Sequence, residues 1–248
     1  MKSSINISRF FQARIRLHYS WILVVILISL AVATQFPTES SLWLRIALGV
    51  ATAVFFFLAM IIRELILLII AVYKGVAIES VTVFAFGGLL QFDRDTTTPS
   101  HELLLAVAGM LCNLIIAGIF YFAYVLQGDT AQIMIDVILK WLAFIYFTLT
   151  LFHIIPAFPL EGGRILHTIL WKALNDIRQA TRISSWIGWT SGLILVAGGI
   201  FILTFTVERF TGAFSIGIGL ILQNAATHSR RQQNQITIPI PSNSHQTP

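Results

Sequence analysis

The chain has 248 residues, of which 56% are hydrophobic and only 11% are charged. Because soluble domains carry about 25% charged residues, this composition excludes a soluble globular protein and indicates a polytopic membrane protein. The formal net charge of +5 does not indicate nucleic-acid binding, since the lysines and arginines are spread over several loops and form no single patch.

Hydropathy predicts an all-α polytopic protein with about six transmembrane helices. We expect a basic N-terminus over residues 1–18, a membrane domain over residues 19–226, and a disordered polar tail over residues 227–248. The six predicted spans are 19–36, 44–73, 103–126, 133–157, 185–205 and 211–226.

The distribution of positive charge predicts the orientation of these spans. If the N-terminus is cytosolic, most of the 16 lysines and arginines fall on the cytosolic side, as the positive-inside rule requires. We therefore expect a multi-pass protein of the cell membrane with both termini in the cytosol.

Two segments do not have the pattern of a spanning helix. Residues 76–93 are rich in β-branched and aromatic side chains and contain Gly87 and Gly88, which predicts a small β-hairpin at the cytosolic face. Residues 165–184 have polar side chains at helical spacing, which predicts a surface helix between the fourth and fifth spans.

A carboxylate and a Gly-Gly-Arg sequence follow the fourth predicted span, where an unpaired charge is costly unless it binds a metal. These residues are Glu161, Gly162, Gly163 and Arg164. The surrounding segment, FHIIPAFPLEGGRILHTILW over residues 152–171, resembles the third signature of the site-2 protease family. That family consists of intramembrane zinc metalloproteases (peptidase family M50), and its signature runs Asn-x-x-Pro-x-x-Pro-x-Asp-Gly-Gly-Arg.

Two upstream segments carry the same resemblance. Residues 61–67, with the sequence IIRELIL, occupy the place of the family's His-Glu-x-x-His. Gly109 and Asn113 match the family's Gly-Pro-x-x-Asn helix, although Met110 replaces the proline. The resemblance covers about residues 10–226 and implies a site-2 protease type of fold and a role in regulated intramembrane proteolysis.

The resemblance also implies a zinc site that this chain does not reproduce. In the family, two histidines at i and i+4 and the aspartate before Gly-Gly-Arg bind zinc, and the glutamate between the histidines activates the bound water. Here only that glutamate, Glu64, is kept. Arg63 and Leu67 replace the histidines, and neither side chain can ligate zinc. Glu161 replaces the aspartate, and His153 stands where the family has asparagine.

We therefore expect charge pairing in place of the metal. An unpaired charge within a span costs at least about 2.5–3.5 kcal/mol, so Arg63 needs a partner. The preferred hypothesis is an Arg63–Glu161 ion pair, with Glu64 nearby and His153 as a further compensating group. One alternative is that Arg63 pairs with Glu64 or with a loop carbonyl. Another keeps a metal, with Glu64, His153 and Glu161 as ligands of zinc or iron.

The other residues of these motifs have structural interpretations. We expect Gly162 and Gly163 to form a tight turn and Pro156 to end the fourth span. Arg164 is expected to cap or pair at the cytosolic surface, and Asn113 to hydrogen-bond across helices.

The sequence predicts a pseudoprotease, a member of the family without proteolytic activity and without an expected cofactor. Glu64 would be catalytic only in an active enzyme. Besides the lipid bilayer, the expected partner is a single-span membrane protein or an extended peptide, to which the hairpin edge could add a strand. Two alternatives stay open: an active intramembrane zinc metalloprotease with an altered metal site, and a membrane scaffold or transport component.

Overall fold

The computed structural model describes residues 4–10, 13–18, 20–36, 40–76, 78–84, 87–92, 98–127, 133–157, 160–206 and 209–235. The chain divides into two compact units, Met1–Ile154 and Ile155–Pro248.

Within its described residues, the first unit contains four strands and four helices. Its elements in chain order are β1 (Ser4–Phe10), β2 (Ala13–His18), α1 (Ser20–Ala33), α2 (Leu42–Tyr73), β3 (Ile78–Phe84), β4 (Gly87–Phe92), α3 (Pro99–Gln127) and α4 (Ile133–His153). The second unit contains three helices, α5 (Glu161–Leu174), α6 (Ile177–Phe205) and α7 (Arg209–Gln235).

Within the described residues, four helices have the length and apolar composition to cross a bilayer. They lie at Leu42–Tyr73, Pro99–Gln127, Met134–His153 and Ile177–Phe205, and they correspond to the second to fifth predicted spans. The chain is therefore a multi-pass membrane protein. The first and sixth predicted spans stay predictions: α1 has only 14 residues, about 21 Å of helix, against a hydrocarbon core of about 30 Å.

Local signals set both ends of α2, the longest helix among the described residues. Ser41 precedes it, and its hydroxyl accepts a hydrogen bond from the Leu44 N–H at 3.3 Å, as an N-cap residue does. At the other end Gly75 adopts a φ of 72°, and the Val76 N–H donates to the Ala71 carbonyl at 3.0 Å. A left-handed glycine with such a reverse bond is a common way to end a helix.

The four strands form one sheet with the order β1-β2-β3-β4. β2 and β3 are parallel, whereas β1–β2 and β3–β4 are antiparallel pairs. In the β3–β4 pair, Gly87 lies opposite Phe84 and Gly88 opposite Val83. The two N-terminal strands were not predicted, because the segment was interpreted as a basic N-terminus and the strand that joins β2 to the rest of the sheet lies some 60 residues away in the chain.

The connection between α5 and α6 differs from the single surface helix predicted over 165–184. α5 ends at Leu174, and Asn175 adopts a left-handed φ of 50°, a conformation that asparagine tolerates better than most residues. Asp176 then caps α6: its Oδ1 accepts the N–H of Arg178 at 2.7 Å and the N–H of Gln179 at 3.3 Å. The surface segment is therefore two helices, and the second continues directly into the fifth span.

Two further boundaries also differ from the prediction. α4 ends at His153 and not at 157, because Pro156 lacks an N–H and disfavours helical backbone before it. α7 continues to Gln235, so the predicted disorder does not begin at 227. Residues 236–248 of the tail lie outside the described residues.

Two apolar clusters form the core of the first unit, and both involve α2. One contains Phe56, Met60, Ala117, Leu142 and Tyr146. The other contains Leu67, Leu68, Ala71, Val76, Ile78 and Leu105. α2 thus contributes residues up to Met60 to one cluster and residues from Leu67 onward to the other. The residues between Met60 and Leu67 belong to neither cluster.

Candidate functional site

The turn of α2 between the two apolar clusters carries a buried charge pair. Arg63 and Glu64 are only 1% and 5% exposed, and the Arg63 Nη1 donates to the Glu64 Oε1 in an ion pair. Leu67, which lies one turn after Arg63 on the same helix face, is 2% exposed. The side chains at positions 63 and 67 are therefore both buried in the protein, where they place a guanidinium and an isobutyl group.

Side chains of α4 face the same region. Tyr146, Thr150 and His153 are all buried, and their spacing of four and three residues places them on one face of the helix. Arg63 interacts electrostatically with both Tyr146 and His153. The His153 Nδ1 donates to the Leu149 carbonyl at 2.7 Å, which fixes the ring against its own helix.

The Tyr146 hydroxyl joins α4 to α2. It donates to the backbone carbonyl of Phe56 at 2.7 Å, and its ring lies 5.2 Å from the ring of Phe56. Tyr146 was not identified from the sequence. The sequence does contain a signal for it: Tyr146 precedes His153 by seven residues, which places both side chains on one face of the same apolar helix.

α3 contributes Asn113, which is 0% exposed. Among the described residues, neither its Oδ1 nor its Nδ2 has a hydrogen-bond partner. The expected hydrogen bond across helices is therefore not formed with any described group. The neighbouring Cys112 interacts electrostatically with Arg63 and Glu64, so this turn of α3 lies near the charge pair.

In the second unit, the Gly-Gly-Arg motif forms the first turn of α5. Glu161, Arg164, His167 and Thr168 are buried, and their spacing places them along one face of the helix. His167 is tied to α6 by a contact of 3.0 Å between its Nε2 and the Thr181 hydroxyl.

Two interpretations of this motif were wrong. Gly162 and Gly163 do not form a tight turn, because both belong to the helix Glu161–Leu174. Arg164 does not lie at the surface, since it is buried. Pro156 is exposed and follows the end of α4, consistent with its predicted role.

The ion pair in the structure is the one that the sequence left as an alternative, between Arg63 and Glu64. The preferred Arg63–Glu161 pair would join one unit to the other, and it stays a prediction.

Comparison with known proteins gives a consistent family. The model of peptidase family M50 matches residues 123–197. A zinc metalloprotease of Methanocaldococcus jannaschii is 29% identical over 200 residues, which cover 81% of this chain and 55% of that protein. The solved site-2 protease from the same organism superposes with a TM-score of 0.67 over 92% of this chain and 95% of that one. The chain is therefore similar in sequence to zinc metalloproteases and has the fold of a site-2 protease.

Two other similar proteins are named as putative zinc metalloproteases. One, from Synechocystis sp., is 28% identical over 94% of this chain and 62% of its own length. The other, Rip3 of Mycobacterium tuberculosis, is 28% identical over 81% of this chain and 52% of its own length. The chain thus spans between about half and three fifths of the relatives that it matches. The solved structure is 24% identical, a level at which the likeness concerns the fold.

The side chains described around Arg63 do not offer a set of ligands that fits a zinc ion. Among the described residues, no three His, Cys, Asp or Glu side chains form a group that could hold a metal ion. Arg63 has no lone pair to offer and Leu67 has no donor atom. A cation beside the guanidinium would also meet a like charge in an apolar surrounding. The family's two-histidine site therefore cannot form here.

Proposed function

We propose that this chain is a proteolytically inactive member of the site-2 protease family. The observation that carries the proposal is the buried Arg63–Glu64 ion pair. In an active member the glutamate activates a metal-bound water, whereas here a guanidinium at the first ligand position holds its carboxylate.

The alternative of an active zinc enzyme is favoured by the names of the relatives, which are zinc metalloproteases. It would require a ligand set that avoids positions 63 and 67, such as Glu64, His153 and Glu161. Against it stands the charge of Arg63, which interacts electrostatically with His153 and would oppose a cation on that ring. We therefore assign no cofactor to the chain.

The proposed role is the binding of a membrane partner. β4 is an edge strand of the four-stranded sheet, and an edge strand offers unpaired N–H and C=O groups to an extended segment. We propose that an extended peptide, or the unwound end of a single-span membrane protein, adds to β4 as a further strand. Both termini are proposed to lie in the cytosol, which the distribution of lysine and arginine supports.

Metal content and cleavage test the inactivity directly. The purified full chain, the variant Glu64→Gln and the variant Arg63→His/Leu67→His would be compared for bound zinc and for cleavage of a synthetic single-span substrate in detergent micelles. We expect the first two to carry no stoichiometric zinc and to cleave at the same background rate. The double variant places two imidazoles at i and i+4 and should gain zinc relative to the others.

Arg63→His alone is the matched control, because it removes the guanidinium but supplies only one imidazole. Cleavage by the unmodified chain that is abolished by Glu64→Gln would overturn the proposal. One zinc per unmodified chain would do the same.

Partner binding is tested separately by photocrosslinking. A crosslinking amino acid would replace Gln91 in β4, and the control would carry it at Ile194, which is exposed on α6. A synthetic single-span peptide with an extended flanking segment should crosslink at position 91 and not at 194. Equal crosslinking at the two positions would contradict strand addition while leaving the proposal of inactivity untouched.

A further inference from the structure

One face of α6 carries two exposed arginines above an exposed tryptophan. Arg178, Arg182 and Trp186 follow each other at intervals of four residues, which places them on one side of the helix. All three side chains are exposed, Trp186 by 49%. We call these three residues the headgroup face.

Beyond the headgroup face, exposed apolar side chains lie on the same side of α6 toward its C-terminal end. Leu193 and Ile200 are 45% and 51% exposed, and their spacing of seven residues from Trp186 and from each other keeps them on the same side. The opposite side of the helix packs against α7, where Gly192 approaches the backbone of Gly219. The headgroup face therefore belongs to the side of α6 that its partner helix leaves open to lipid.

The length of α6 sets the depth of each residue. The helix has 29 residues, about 43 Å at 1.5 Å per residue, and so exceeds the hydrocarbon core of about 30 Å. From Trp186 to Phe205 it measures about 30 Å, which matches that core. Trp186 then lies at the boundary, where tryptophan is enriched. Arg182 lies about 6 Å and Arg178 about 12 Å further out along the axis, and the headgroup layer is about 5–8 Å thick on each side.

The two guanidiniums carry charge that no described side chain neutralises. Neither Arg178 nor Arg182 forms an ion pair with another described residue. The nearby carboxylate of Asp176 accepts backbone N–H groups of the first turn of α6. Arginine presents a planar fork of donors that matches phosphate oxygens.

We propose that the headgroup face is a binding site for the phosphate of an anionic phospholipid of the surrounding bilayer. In this site the fork of Arg182 binds the headgroup phosphate, and Arg178, just outside the headgroup layer, adds a second positive charge that attracts it. Trp186 anchors the helix at the level of the glycerol, and the exposed apolar side chains below it meet the acyl chain. The site would select anionic lipid over zwitterionic lipid, because two cations near the surface attract the negative leaflet.

Lipid retention measures this selection. The full chain would be purified with equimolar phosphatidylglycerol and phosphatidylcholine, and the lipids that stay bound would be counted by native mass spectrometry. We expect Arg178→Gln/Arg182→Gln to lower the preference for phosphatidylglycerol about tenfold. Arg178→Lys/Arg182→Lys keeps the charge and should retain most of the preference.

The matched control, Lys74→Gln/Lys140→Gln, removes two positive charges at other exposed positions. Its preference for phosphatidylglycerol should stay within about twofold of that of the unmodified chain. An unchanged preference in the Arg178→Gln/Arg182→Gln variant would overturn the proposal, as would an equal loss in the control, which would indicate only an effect of net charge. Melting midpoints in phosphatidylcholine alone confirm that each variant is folded. In a second arm, inorganic phosphate replaces the lipid; if millimolar phosphate displaces phosphatidylglycerol fully, the site is one for free phosphate and the proposal fails.

Discussion

Arg63 and Glu64 are neighbours in the chain, and yet their side chains form a buried ion pair. Consecutive residues of a helix do not face each other, so the guanidinium and the carboxylate must bend toward one another along the helix surface. They do so where α2 passes between two apolar clusters and where both side chains are buried away from water.

Removal of one partner of this pair should be costly. Arg63→Met leaves the Glu64 carboxylate in an apolar surrounding, and loss of one partner of a buried pair destabilises a protein by about 3–5 kcal/mol. Glu64→Gln should cost a similar amount. The double variant Arg63→Met/Glu64→Gln should cost clearly less than the sum of the two, since it leaves no unpaired charge. Unfolding of the purified variants in detergent micelles measures these differences.

Arg178→Met is the control for that experiment, because Arg178 is exposed and makes no ion pair with a described residue. It should change the free energy of unfolding by less than about 0.5 kcal/mol. Strict additivity of the Arg63 and Glu64 effects would contradict the interaction seen between the two side chains.

The hydrogen bond from the Tyr146 hydroxyl to the Phe56 carbonyl gives a second prediction. Tyr146→Phe removes only the hydroxyl and should destabilise the protein by about 0.6–1.7 kcal/mol, the range measured for interhelical hydrogen bonds in membranes. The same change at Tyr121, which is 61% exposed, should have no measurable effect. Equal effects at the two positions, measured by the shift of the melting midpoint, would show that the bond to Phe56 contributes nothing.

Replacement of Asn113, in contrast to replacement of Tyr146, should not destabilise the protein. Its amide is fully buried and has no hydrogen-bond partner among the described residues, so the native state already bears the cost of its desolvation. Asn113→Leu keeps a similar volume and should leave the free energy of unfolding unchanged or raise it by about 1 kcal/mol. A loss of more than about 2 kcal/mol would mean that the amide makes a hydrogen bond that stabilises the protein.

Much of the helical framework follows from the sequence alone, because apolar runs of 20 or more residues have few alternatives to a spanning helix. The predicted second span, 44–73, begins within two residues of α2 and ends with it. The buried site was harder. The pattern of Arg63, Glu64 and Leu67 indicated that no zinc site forms, but it could not decide which carboxylate pairs with Arg63, since that choice depends on side-chain torsions.

The Gly162-Gly163 pair shows where a local signal failed. Two glycines after prolines favour a turn, and a helix interior with glycine costs up to about 1 kcal/mol per residue. The helix forms nevertheless, because its buried face, from Glu161 through Arg164 to Thr168, is repeated at helical spacing. Likewise the place of β2 in the sheet could not be read locally, since β2 pairs on one side with β3, which follows α2 in the chain.

The packing of α6 on α7 gives the sharpest stability test, because two adjacent glycines of α6 have opposite surroundings. A Cβ added at Gly199 would lie 2.6 Å from the Gly212 carbonyl oxygen and 2.9 Å from the Ile216 nitrogen. These are backbone atoms, so the helices would have to separate. A Cβ at Gly198 would meet nothing within 4 Å. Gly199→Ala should therefore destabilise the protein by about 1–3 kcal/mol, as overpacking does.

Gly198→Ala should instead stabilise it by up to about 1 kcal/mol, because alanine loses less backbone entropy than glycine in a helix. The two variants would be compared by unfolding the full chain in the same detergent, with circular dichroism as the measure of helix content. The reciprocal change Gly212→Ala should resemble Gly199→Ala, since its Cβ would lie 2.8 Å from the Gly199 carbonyl oxygen. Equal shifts of the melting midpoint in Gly198→Ala and Gly199→Ala would contradict the close approach of α6 and α7 at Gly199.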